Sequence, residues 1–326
     1  AFAVASLLAL LALVTLVACR APPEEGSRLR IAYMARLTHA PALTGIDSGR
    51  LPSALPDLRI EGRSFEFGNA VVEAMFAGEI DVALLGPNPA INGFVRSAGE
   101  VRIVSGIASG GSALVVRQGA GISSAADLRG RSLATPQVAS TQDIALRAYL
   151  RKHGLDPSLE GGDVRILPLS PAEIRVLFAR GDLDGAFVSE PLATELVMNS
   201  GATLLLDERD EWPGRRHPAT VFAVRKRYYD AHPENVRRLV SALAAEIDWI
   251  EAHRADALGA CQRGSGQRRG RGLPGAVATR AFDRVSFTVD PMPDALDRLA
   301  HDAERARFLP PSSSLAGLVL GPEARE

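Results

Sequence analysis

From Pro233 to His253 the apolar residues Val236, Leu239, Val240, Leu243, Ile247 and Ile250 return every three or four positions, which is the period of one buried helix face. A proline opens the run, where its missing N–H costs nothing. This is the clearest helix in the chain. Elsewhere the pattern is one of short apolar runs separated by helix-length periodic segments. RLRIAYM from Arg28, DLRIEGRSFE from Asp57 and IDVALLG from Ile80 read as the first three strands. Strands alternating with helices predict an α/β architecture built on largely parallel sheets.

One pattern occurs twice. FAGEIDVALLGPNPA begins at Phe76 and FARGDLDGAFVSEPLA at Phe178. Each predicts a helix end, then Gly, an acid, an aliphatic residue and Asp, then a strand and a proline-containing loop. Gly78 and Gly181 suit the left-handed position that closes a helix. The repeat predicts two lobes of like βαβ construction, with the carboxyl ends of their strands facing a shared cleft, where ligands of open α/β sheets sit. The cleft-side loops then carry Asn88 and Glu190.

The chain has 326 residues, more than one core usually fills, in keeping with two lobes. Lys and Arg total 37 against 38 Asp and Glu, so there is no excess positive charge for nucleic acid and no long-range attraction for a charged solute. An anion has to be caught locally. A place to catch one is LATPQVASTQD, from Leu133 to Asp143, where a strand gives way to a helix through Ser140, Thr141, Gln142 and Asp143. Helix capping accounts for such residues. The same junction, with its unpaired backbone N–H groups, is also an anion site that the hydroxyls extend.

The N-terminal run AFAVASLLALLALVTLVACR is uncharged and apolar up to Cys19. Its length reaches the lower limit for a membrane-spanning anchor. Leu16-Val17-Ala18-Cys19, however, resembles the bacterial lipobox, where the signal peptide is cut before the cysteine and the thiol carries lipid. On either reading the body is exported. Cys261 is the second of two cysteines, so acylation of Cys19 leaves no intramolecular disulfide. No cysteine–histidine cluster suggests a metal, and no cofactor is expected.

THAPALTG, FEFGNAVVEAMFAGEIDVALLGPNPAINGF, SGIASGGSALVVR, DLRGRSLATPQVASTQDIALRAYL, FARGDLDGAFVSEPLA and HPATVFAVRKRYYDAHPENV, in this order, resemble the substrate-binding proteins of ABC importers for nitrate, taurine and aliphatic sulfonates. The resemblance runs from about Arg28 to Val289. It implies a bilobal periplasmic-binding-protein type II fold, in which two α/β lobes joined by a two-strand hinge close on a small anionic solute. After a signal peptide (1–19) and a linker (20–27), lobe I is expected at 28–112 and 215–326 and lobe II at 113–214. The implied partners are an ABC permease and its ATPase, with the lipid anchor holding a monomeric binder at the outer face of the cytoplasmic membrane.

In that setting Ser140, Thr141, Gln142 and the amides around them look like lobe II donors for a sulfonate or nitrate head group, while Asp143 caps the helix or orients a neighbour. Lobe I offers His39, Asn88 and the turn Ser109-Gly110-Gly111. His39 also reads as a helix-start histidine, and the glycine pair as a simple tight turn. Glu190 has two readings as well: it binds the amine of a taurine-like zwitterion, or it holds the hinge or a neighbouring arginine. Binding a pyrimidine or thiamine precursor, or reporting to a sensor, is the alternative output.

The stretch Gly259 to Ala276 departs from the resemblance, with four arginines among glycines between Arg263 and Arg271. It is expected as a flexible surface loop or as the product of a local frame shift. Its Gly270, Gly272 and Gly275 follow no strand and flank Pro274, which argues against a dinucleotide site. An enzyme is not expected either. There is no G-x-S-x-G, and the fold-related pyrimidine synthases use a clustered cysteine motif absent from this chain.

Overall fold

Strand β1 (Arg28–Met34) shows why the first core has two sides. Leu29, Ile31 and Tyr33 pack into one buried cluster and Ala32 and Met34 into another, as a two-residue period requires when both faces of a sheet are covered. The computed structural model describes residues 28–158, 161–269 and 275–325, so the lipidation expected at Cys19 lies outside the described residues. β2 (Arg59–Phe65) and β3 (Val82–Leu85) run parallel to β1 on either side of it. β4 (Val101–Gly110) pairs antiparallel with both β10 (Pro218–Arg225) and β11 (Val285–Phe287), giving a six-stranded sheet of order β11-β4-β10-β3-β1-β2.

The second sheet takes β5 (Ser112–Arg117), β6 (Ser132–Thr135), β7 (Arg165–Pro168), β8 (Gly185–Ser189) and β9 (Ala202–Asp207), in the order β7-β6-β8-β5-β9. Along β5, Ala113 and Val115 face one cluster while Leu114 and Val116 face the other. The molecule is thus a two-sheet, bilobal α/β protein.

The repeated pattern takes the same form in each lobe. Gly78 (φ 72°) and Gly181 (φ 80°) follow helices Gly68–Phe76 and Pro171–Arg180, and β3 and β8 come next. The proline segments after those strands are helix starts rather than loops: Pro87–Arg96 and Leu192–Asn199 begin almost at once.

The chain passes between the sheets twice, at Gly110-Gly111 and across residues 208–217. The first crossover needs glycine. Both residues are left-handed (φ 79° and 77°), and a methyl on Gly111 would lie 2.8 Å from Val285 Cγ2. The lobes are packed against each other: Ile144, from the second lobe's helix Thr141–Lys152, is buried in a first-lobe cluster with Leu296 and Leu299.

The surface loop expected over 259–276 is corrected through Arg269. Helix Arg254–Arg269 occupies this stretch and Gly275–Phe282 follows, with 270–274 outside the described residues. Ala257, Ala260 and Cys261 are buried on the first lobe, and that packing outweighs the cost of about 1 kcal/mol for each helical glycine.

Candidate functional site

Four helices begin around one cavity of about 40 Å³. Ala40–Asp47 is capped by His39, Gly68–Phe76 by Phe67, Pro87–Arg96 by Gly86 and Thr141–Lys152 by Ser140, and all four capping residues line the cavity. The first three follow β1, β2 and β3, and the fourth follows β6, so each cap stands beyond the carboxyl end of a parallel strand. First-turn N–H groups, absent at Pro41, Pro87 and Pro89, lack helical partners, and each helix dipole places about half a positive charge at its start. The enclosed space holds roughly three waters or the head group of a small anion, whose remainder would lie along the wall toward the opening.

The Ser140 cap shows how the second lobe sets its donors. Ser140 Oγ accepts from the Asp143 amide at 3.2 Å, which stiffens the first turn and leaves Thr141 and Gln142 on the cavity wall. Thr141 Oγ1 is buried and has no hydrogen-bond partner, an arrangement that favours a ligand atom. Gln142 Nε2 donates to Ser112 Oγ at 3.2 Å. Asp143 turns away from the cavity: its carboxylate accepts from the Ala139 amide at 2.9 Å, from Thr135 Oγ1 at 3.3 Å and from Arg147 Nε at 3.2 Å. Its charge is therefore spent on the protein.

On the first-lobe side His39 is fully buried, with Nδ1 3.1 Å from Thr38 Oγ1 and the Leu84 backbone also against the ring. Burial, reinforced by the charge of Arg36, pushes its pKa down to about 3. The imidazole is neutral at neutral pH and can donate a hydrogen bond but no full charge. Among the described residues the full charge on the wall belongs to Arg36, whose Nη2 donates to the Glu66 carbonyl at 3.0 Å. No aspartate or glutamate lines the cavity among the described residues.

A larger groove of about 690 Å³ lies between helices Thr141–Lys152 and Pro293–Arg305. Its charges are of both signs, and two pairs are joined, Lys152 with Glu211 at 2.6 Å and Arg298 with Asp302 at 3.9 Å, while Arg151 Nη1 is buried without a hydrogen-bond partner. Its carboxylates Glu208, Glu211, Asp294, Asp297 and Asp302 oppose an anion, so the smaller cavity is the better candidate.

Residues 22–263 match the model of the NMT1-like family. The chain belongs to that family. Over 193 residues, 59% of this chain and 58% of the relative, it is 30% identical to the taurine-binding periplasmic protein of Escherichia coli (strain K12). Over 163 residues, 49% of each, it is 28% identical to a putative aliphatic sulfonates-binding protein of the same organism. The matches thus span about half the length of these curated relatives. The alkanesulfonate-binding protein SsuA from Xanthomonas axonopodis pv. citri, solved bound to MOPS, superposes with a TM-score of 0.76 at 24% identity, covering 90% of this chain and 98% of that one. The fold is that of the periplasmic binding proteins.

In this NMT1-like chain the cavity gathers His39, Ser140, Thr141 and Gln142 from the residues picked out by sequence. The other five face elsewhere. Asn88 Nδ2 donates to the Leu299 carbonyl at 3.3 Å, because a residue inside the first helical turn points roughly 100° away from its neighbour. Ser109 Oγ accepts from the His217 amide at 3.2 Å, and Gly110 and Gly111 form the crossover rather than a ligand turn. Glu190 is drawn inward: it accepts from the Thr194 amide at 3.0 Å and Thr194 Oγ1 at 2.9 Å, and pairs with Arg284 at 2.8 Å. Burial raises its pKa against the pull of those partners. Arg36, Phe67, Gly86 and Ser189 also line the cavity and were not singled out by sequence. Their common signal is position, since each stands at or just past the carboxyl end of a strand, where this architecture binds ligands.

Proposed function

We propose that the chain is the exported, lipid-anchored solute-binding component of an ABC importer, and that it captures a small anion between its lobes for delivery to a permease and its ATPase. The candidate solutes are an aliphatic sulfonate, taurine or nitrate. The observation that carries this reading is the convergence of four helix N-termini and Arg36 on one cavity that no carboxylate lines among the described residues. Charge-assisted hydrogen bonds contribute roughly 1.5 to 3 kcal/mol each. A micromolar affinity requires about 8 kcal/mol, so several such donors suffice after ordering costs.

The two crossovers, at Gly110-Gly111 and across 208–217, serve as the hinge between lobe I and lobe II, and the closed form is what the permease reads. Cys19 carries the lipid, and the binder acts as a monomer. The names of the relatives support binding rather than turnover.

A thermal-shift panel with alkanesulfonates, taurine, nitrate, sulfate and a hydroxymethylpyrimidine tests the reading. A ligand at a thousand times its Kd stabilises by about 4 kcal/mol. Stabilisation by at least one of the sulfonates or nitrate is expected. A response to the pyrimidine alone refutes the assignment.

A further inference from the structure

Glu190 is the carboxylate that follows β8, next to the cavity-lining Ser189, and both of its oxygens are occupied by the protein. Thr194 bonds each oxygen once, through its amide and its hydroxyl. Arg284, which precedes β11 in the other lobe, holds Glu190 at 2.8 Å through Nε and Asp207 at 3.1 Å through Nη2. Asp207 is held in turn by Arg209, at 3.0 Å and 2.7 Å. Asp207 ends β9 and Glu190 follows β8 of the second sheet, while Arg284 immediately precedes β11 of the first, so the cluster clasps the lobes together. The Glu190 side chain is fully buried, and the guanidinium is four-fifths so.

On the proposed anion-binding reading, we infer that this clasp makes the binder selective against an ammonium group: Glu190 locks the lobes through Arg284 and leaves the cavity for anions that carry no positive charge. A buried ammonium needs a carboxylate or several acceptors to replace its water, and is otherwise rejected. The cavity wall provides no carboxylate among the described residues, and its one full charge, on Arg36, is of the same sign as the ammonium. The field of Arg36 already opposes protonation of His39 beside it. Met34, Phe67, Pro89, Pro136 and Ala219 supply apolar wall for an alkyl chain instead. The selectivity therefore runs opposite to the name of the taurine-binding relative.

Propane-1-sulfonate replaces the ammonium of taurine with a methyl group of similar size, so calorimetric titration of the protein with both compounds isolates that one group. Propane-1-sulfonate is expected to bind at least tenfold more tightly than taurine. In Glu190→Gln, which weakens the clasp, both affinities are expected to fall by the same factor within about twofold. Taurine binding as tightly as propane-1-sulfonate in the wild-type protein overturns the inference and leaves the anion-binding reading intact. Selective loss of taurine in Glu190→Gln, which would place Glu190 on the ammonium, does the same. If neither sulfonate nor nitrate binds, the functional reading itself fails and the inference falls with it.

Discussion

A single methyl group at Gly86 should hold the lobes apart. Gly86 caps the first-lobe helix Pro87–Arg96, and a Cβ built on it would sit 2.8 Å from Thr141 Oγ1 of the second lobe. Ordinary contact begins near 3.4 Å, so the overlap is about 0.6 Å. Gly86 has φ −63°, a conformation alanine adopts freely, and the added methyl meets Thr141 only when the cleft is shut. Overpacking of this kind costs about 1 to 3 kcal/mol. Charged to closure alone, that weakens ligand affinity by about 5- to 150-fold. The ligand-free protein should keep its urea midpoint, because the modest loss in capping is offset by a stiffer unfolded chain. Titration calorimetry with the best-bound sulfonate reads the effect. Thr141→Ala provides the control: with Oγ1 gone, adding Gly86→Ala should cost little more, giving a double-mutant coupling of about 1 kcal/mol or more. Unchanged affinity in Gly86→Ala, or an equal loss in both backgrounds, refutes the contact between lobes as the origin of the effect.

Other outcomes follow from the same geometry. Thr141→Val, which keeps the shape and removes the hydroxyl, should weaken anion binding about tenfold or more at an unchanged unfolding midpoint; an unaltered Kd removes Thr141 from the site. Arg36→Gln should weaken sulfonate and nitrate alike, with a shallower dependence on salt, and unchanged binding would exclude Arg36 as the source of charge. His39 is neutral in the fold with its pKa lowered to about 3, against about 6.5 unfolded, so the unfolded chain binds the extra proton between those values. Its contribution to stability is complete above pH 6.5 and is lost as pH falls toward 3, at about 1.4 kcal/mol per pH unit. Urea unfolding at pH 7.5 and 5 should therefore show a loss of about 2 kcal/mol that His39→Gln lacks. An identical pH dependence in the two proteins contradicts the neutral, buried imidazole.

The architecture was legible because hydrophobic period is local information. The Val236 to Ile250 spacing and the three opening apolar runs mark elements by themselves, and the repeated Gly-acid-aliphatic-Asp pattern marks two equivalent units. The Ser140 cap was legible for the same reason, since a capping side chain bonds within its own turn. Side-chain direction was not. Asn88 and Glu190 stand in the right segments, but whether a side chain faces the cavity or the Leu299 carbonyl is decided by helix phase and by a partner 211 residues away. Arg284, which takes up Glu190, lies in a segment whose place beside the second lobe depends on β11 pairing with β4. Arg36 carried no motif at all. The arginine-rich stretch misled because glycine propensity argued against a helix, whereas Ala257 and Cys261 bury one face of it.

A crystal structure with 2-bromoethanesulfonate, located by the anomalous scattering of bromine, asks most directly whether the four helix starts hold the anion. The account predicts the sulfonate oxygens within hydrogen-bond distance of Thr141 and the first-turn amides that follow Ser140, with bromine against the apolar wall near Phe67 and Pro89. Bromine in the groove between helices Thr141–Lys152 and Pro293–Arg305, or on the outer surface, would contradict it.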